Sequence, residues 1–177
     1  MGRNTELKGL EIAIKAVEAI GGKLIVAGQG KPPFTSKVMT HIGVVDTEQR
    51  AKWMSKAIAT FIPTLYLEKF GMVVVESLLC GTPVITTDFG SFPELVPHGK
   101  VGYRCRTLKE FIIATKDIKN IKPKDCRDYA EANFGTEKVS QMFQHYFTNL
   151  YGLYSGNDWY SMNTDINNIN WLNKKHI

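Results

Sequence analysis

Two carboxylates, Glu68 and Glu76, stand with seven residues between them, and Lys69-Phe70-Gly71-Met72-Val73-Val74-Val75 fills the interval. Carboxylate oxygens are hydrogen-bond acceptors of high capacity. Phe70-Gly71 ahead of an apolar run reads as a loop passing into a helix, and Leu78-Leu79-Cys80-Gly81-Thr82-Pro83 as its stop. Gly81 supplies the position after the C-cap and Pro83 bars continuation. The first amides of such a helix have no intrahelical partner, and its dipole adds to their attraction for phosphate. The chemistry open to this stretch is therefore recognition of an anionic, phosphorylated ligand beside two acceptor groups. Plainer readings stand beside it. Glu68 can be a partner of the helix dipole, and Glu76 an exposed residue of an amphipathic helix, although Val73, Val74 and Val75 argue that the helix is largely buried.

The elements that must position these groups alternate in kind. Leu10, Ala13, Ile14, Val17 and Ile20 recur at helical spacing up to Gly21-Gly22. Leu24-Ile25-Val26-Ala27 is a short buried strand ending at Gly28-Gln29-Gly30, and Val38 to Val45 is a strand region containing Gly43. Asp46-Thr47-Glu48 caps a helix running through about Ala57, and Ile58 to Ile62 is a strand leading to the Glu68 loop. The β-branched run Val84-Ile85-Thr86-Thr87-Asp88 has the character of a strand buried on both faces. Phe89-Gly90-Ser91-Phe92-Pro93-Glu94 is a loop, Val101 to Cys105 a strand, and Thr107 the cap of a helix through Asp117. Helices follow at Pro123–Asn133 and Thr136–Tyr154. Such alternation predicts an α/β fold, a doubly wound Rossmann-like parallel sheet with a helical C-terminus. Ligands then collect beyond the carboxyl ends of the strands, where the loops at Gly28, Glu68 and Asp88 lie. The lone Gly-x-Gly at Gly28 lacks the third glycine of a dinucleotide site.

Composition sets the outer limits. A chain of 177 residues supports one core, and the sequence divides into a domain over 1–154 and an Asn-rich segment over 155–177. That segment carries Trp159, Tyr160, Trp171 and Leu172, too few apolar residues for a core of its own, so it is a tail or a docking strap. No apolar run is long enough to span a membrane, and Met1 to Glu6 has no secretory character. Cys80, Cys105 and Cys126 are widely spaced and odd in number, which points to a reducing, cytoplasmic setting. The net charge of +5 favours anionic ligands or peripheral contact with anionic membranes; the cations are scattered, and no nucleic-acid partner is expected. His41, His98, His145 and His176 show no ligand spacing, so no metal is expected.

The Glu-x7-Glu stretch resembles the signature of retaining glycosyltransferases of the GT-B fold, in particular the sucrose-synthase/mannosyltransferase-like, group 1 family. Gly2-Arg3 with Lys8-Gly9 is similar to the Gly-Arg…Lys-Gly segment of that family, and the likeness covers residues 2–149. It implies the C-terminal, donor-binding half of a GT-B enzyme and a nucleotide diphosphate sugar as donor. On the resemblance, Arg3 and Lys8 contact the diphosphate in place of a metal. Phe70, Gly71, Met72 and Val73 present backbone amides to the phosphates, with Phe70 and Met72 equally readable as packing residues. On the same resemblance Glu76 receives the ribose hydroxyls, and Glu68 is the catalytic carboxylate, facing the donor sugar, contacting its hydroxyls and stabilising positive charge at the anomeric carbon. Gly28, Gly43 and Glu94 are further donor-site loop candidates; a turn glycine at Gly43 and a loop cap at Glu94 are the plainer readings.

The family has an apolar strand leading into the Gly-Arg pair, and only Met1 precedes Gly2 here. An exposed apolar surface, and with it self-association or low solubility, is expected from this. The function expected is transfer with retention to an acceptor whose domain or subunit is not in this sequence, the chain alone being incomplete or inactive. The alternative is a non-catalytic nucleotide-sugar-binding module needing a separate acceptor domain. A sugar-nucleotide epimerase of the same fold fits the spacing less well.

Overall fold

The computed structural model describes residues 5–155, so Arg3 and the segment beyond Ser155 lie outside the described residues. The chain forms two compact units, one ending at Ala132 and the other beginning at Asn133.

The first unit opens with a 3-10 turn over Glu6–Lys8, then Gly9 and helix α1 (Leu10–Glu18). Ala13, Ile14 and Val17 are buried, as the helical spacing predicts, and Ala16 with them, whereas the expected Ile20 lies beyond the end of α1 and is exposed. β1 (Leu24–Val26) and β2 (Met39–His41) pair in parallel with Leu24 opposite Met39. β2 is shorter than the expected Val38 to Val45, because after the Ile42 amide donates to the Val26 carbonyl the chain turns away and Gly28 N–H donates to Gly43. α2 (Thr47–Lys56) begins on a capping box: Asp46 Oδ1 accepts from the Gln49 amide at 2.8 Å, and Gln49 Oε1 accepts from the Asp46 amide at 3.3 Å.

β3 (Thr60–Ile62), β4 (Val84–Thr87) and β5 (Gly102–Cys105) form a second parallel sheet in that order. All four residues of central β4 are buried, as a strand covered on both faces requires. Between them run α3 (Met72–Leu79) and α4 (Phe92–Leu95); α5 (Leu108–Asp117) follows β5 on the Thr107–Glu110 capping box. α6 (Pro123–Phe134) comes next, and the second unit contains α7 (Thr136–Tyr154). The strands are parallel throughout, but they form a two-stranded and a three-stranded sheet instead of one: among the described residues β1 pairs only with β2, and β3 only with β4. The expected loop from Phe89 to Glu94 is also corrected, since Phe92 and Leu95 are buried and draw that segment into the single turn of α4.

The core holds Val74 and Leu78 of α3, Val84 and Ile85 of β4, Phe92 and Phe111. Each such side chain stabilises the fold by about 1.5–3 kcal/mol. Hydroxyls fix the helices around it. Ser77 Oγ donates at 2.8 Å to the Thr82 carbonyl and accepts at 2.8 Å from the Thr60 hydroxyl, joining α3 to β3, and Thr82 Oγ1 donates at 2.6 Å to the Met54 carbonyl, holding α2.

Candidate functional site

The loop carrying Glu68 is built by backbone bonds to the loop after β4. The Ser91 amide donates to the Glu68 carbonyl at 3.0 Å, and Ser91 Oγ donates to the Phe70 carbonyl at 2.8 Å. Gly71 is buried with φ +87°, and a Cβ placed there would stand 3.2 Å from Phe92. Glycine is what lets the chain turn here directly into α3. The start of α3 has no side-chain cap and no acidic residue in its first turn. Met72 is exposed and Val73 half-buried, so the opening amides of α3 are at the accessible end of the helix. Phe70 is also exposed, at 43%.

The N-terminal turn brings a cation to this loop. The Leu65 amide donates to the Leu7 carbonyl at 2.8 Å. Gly9, at φ +65°, packs so closely on Pro63 that a Cβ would lie 1.9 Å from its carbonyl oxygen. Lys8 is thereby set beside Tyr66 and Glu68. Lys8 Nζ lies 3.4 Å from Glu68 Oε2, contacts the Tyr66 hydroxyl and sits 4.7 Å from the Tyr66 ring centroid. Tyr66 also donates to Glu68 Oε2 at 2.8 Å. Burial alone would lower the Lys8 pKa; the Tyr66 hydroxyl and then the Glu68 carboxylate outweigh it and hold the ammonium above the ordinary lysine value. Lys8 is therefore charged throughout the neutral range.

Glu76 lies on the second turn of α3 and meets a residue from another helix. Arg50 Nη2 of α2 is 3.2 Å from Glu76 Oε1, while Glu76 Oε2 is buried with no hydrogen-bond partner among the described residues. Gly28 and Gly43 are brought together by their 2.8 Å backbone bond, and Glu94 is exposed on α4. The structure thus unites Lys8, Glu68 and the start of α3 and gives Glu76 a cationic neighbour of its own. Reasoning from sequence had missed Tyr66 and Arg50. Tyr66 stands two residues before Glu68 in an irregular loop with a bend at Leu65–Tyr66, and no sequence pattern marks it. Arg50 could have been found from its place four residues before buried Met54, on the inward stripe of α2. Two clefts, about 490 Å³ beside Trp53 and about 600 Å³ beside Asp88 and Tyr103, are not lined by Glu68 or Glu76. Among the described residues no group of His, Cys, Asp and Glu could hold a metal ion, and no helix is long and apolar enough to cross a membrane.

Known proteins share this arrangement of elements. The structure of a glycosyltransferase of avilamycin A biosynthesis superposes with a TM-score of 0.74 at 23% identity, over 85% of this chain and 49% of that one. Anabaena HepE, crystallised with UDP and glucose, superposes with a TM-score of 0.67 at 19% identity, over 84% of this chain and 47% of that one. These likenesses establish the fold, that of one half of a GT-B glycosyltransferase. In sequence the chain is 26% identical over 147 residues to the N-acetyl-alpha-D-glucosaminyl L-malate synthase of Bacillus anthracis, a match covering 73% of this chain and 38% of that protein. The chain therefore spans half or less of the length of these relatives. Residues 1–121, which contain Lys8, Glu68, Glu76 and both sheets, match the family described as Glycosyl transferases group 1, and to that family the chain belongs.

Proposed function

We propose that the chain is the donor-binding part of a retaining glycosyltransferase and takes a nucleotide diphosphate sugar. The observation that carries this reading is the convergence of charged Lys8 and Glu68 on the uncapped start of α3. A diphosphate placed there meets the amides of Phe70, Gly71, Met72 and Val73, the helix dipole and the Lys8 ammonium. Departure of the nucleoside diphosphate develops negative charge, and fixed donors aimed at it lower the barrier. Arg3, outside the described residues, belongs to the same role on the family resemblance, and this pair of cations does the work given elsewhere to a metal. Glu76 receives the ribose hydroxyls; Glu68 faces the sugar and stabilises positive charge at its anomeric carbon. Gly28, Gly43 and Glu94 border the donor. In a retaining transfer the departing phosphate stays on the face that the acceptor hydroxyl approaches. The complex of HepE with UDP and glucose supports a nucleotide-sugar ligand for this fold.

The distinguishing test compares UDP with UMP on the chain and on K8M. Lys8 at the diphosphate predicts that the chain prefers UDP and that K8M loses most of that preference, by roughly tenfold in affinity. An unchanged preference in K8M would remove Lys8 from the diphosphate site. A second reading, a non-catalytic nucleotide-sugar-binding subunit, draws on the match covering 38% of the N-acetyl-alpha-D-glucosaminyl L-malate synthase. Hydrolysis of UDP-glucose by the chain alone contradicts that reading, and transfer appearing only with a second polypeptide supports a split enzyme.

A further inference from the structure

The best-defined contact of Glu76 is one that the donor reading does not use. Arg50 is fixed before any ligand arrives. The capping box at Asp46 and Gln49 starts its helix, Met54 one turn later is 2% exposed, and the Thr82 hydroxyl holds the Met54 carbonyl. Arg50 therefore faces α3 from a rigid helix, with Nη2 3.2 Å from Glu76 Oε1. Both side chains keep some exposure, 32% and 26%, so their attraction contributes little to stability. The other oxygen, Oε2, is buried and without a hydrogen-bond partner among the described residues. A carboxylate oxygen out of water and unpaired is costly, so Oε2 carries acceptor capacity that no described residue uses.

We propose that Arg50 is a positioning residue of the donor site that makes nucleotide binding depend on the ribose hydroxyls; this rests on the donor-site reading above. Its guanidinium, 3.2 Å from Oε1, limits the swing of the Glu76 carboxylate. The planar fork carries five N–H donors, so it can hold either oxygen. A turn of the carboxylate about its Cγ–Cδ bond then brings Oε2 to one ribose hydroxyl while Arg50 keeps its hold and Oε1 accepts from the other. The ligand class is a ribonucleoside diphosphate with both hydroxyls free.

The test is calorimetric titration of the 177-residue chain with UDP and with its dideoxy analogue, which lacks both ribose hydroxyls, repeated on R50M, R50K and E76A. R50M is expected to bind UDP roughly tenfold more weakly and the dideoxy analogue as the unsubstituted chain does, with R50K recovering part of the loss. R50Q carries the same comparison if R50M does not fold. Equal losses on both nucleotides mean a merely structural role and overturn the proposal, as does unchanged UDP affinity in R50M. Loss in E76A without loss in R50M overturns this proposal alone, whereas a folded chain that binds no UDP overturns the donor-site reading and this one with it.

Discussion

Lys8 and Glu68 form an ion pair at 3.4 Å, and a diphosphate beside them gives the ammonium a second anionic partner. The two glutamates then separate by role. E76A is expected to weaken binding of the nucleotide by about tenfold, read by calorimetry. E68A is expected to leave nucleotide affinity within about twofold and to lower transfer in a complete enzyme by two orders of magnitude or more, read by turnover with an acceptor. The Lys8 pKa is raised, so the stability its partners contribute is fully present below about 10.5 and is lost as pH rises through the higher folded value. Thermal unfolding of K8M should lie below that of the unsubstituted chain by this contribution in the neutral range and lack that part of the alkaline fall, so that the two converge at high pH. Thiols offer another check. Burial first, then Glu110 and Asp88, pushes Cys105 up to about 12, and burial, then Asp125, pushes Cys126 up to about 11. A thiol reagent at pH 8 should modify half-exposed Cys80 and spare both until the chain unfolds. At this scale the sequence was informative about residues whose chemistry is rare in its setting, such as a carboxylate inside an apolar run. It was silent on Tyr66 and Arg50, because a tyrosine and a helical arginine are ordinary until a fold brings them to a carboxylate.

Element boundaries were legible where backbone chemistry is local. Asp46 and Thr107 announce the starts of α2 and α5 through capping boxes that close within four residues, and both form. The span Thr136–Tyr154 reads as one helix from its apolar spacing alone, and its Phe143 and Phe147 stack at 6.1 Å. α4 was not legible, because its single turn is fixed by the distant burial of Phe92 and Leu95 and not by propensity. The same non-local packing decides how Gly9 and Gly71 respond to substitution. G71A places a methyl group 3.2 Å from Phe92 at a positive φ, and should cost about 1–2 kcal/mol of stability while weakening UDP binding by displacing the start of α3. G9A meets the Pro63 carbonyl at 1.9 Å and should cost more, about 3 kcal/mol, because rigid backbone must move. Equilibrium denaturation measures both, and a G9A variant as stable as the parent contradicts the packing of the N-terminal turn.

For the whole molecule, the alternation of helices and strands was enough to give a parallel α/β fold, because crossover connections leave few other solutions. It was not enough to show the sheet in two parts. Pairing is a property of neighbours in space, and among the described residues no strand joins β1 to β3. Among the described residues each of those strands therefore has one edge with no strand paired to it, and Ile25 of β1 is 41% exposed. We expect the chain to associate as its concentration rises, seen by sedimentation as species heavier than 19.9 kDa; a monomer at every concentration would show that these edges are protected. The central claim concerns the ligand, and it is tested most directly by titrating the folded chain with UDP, GDP and ADP, then repeating the series on E76A. The account predicts saturable binding of a nucleoside diphosphate that E76A weakens by about tenfold. Binding that E76A leaves unchanged, or no binding of any of the three, would contradict it.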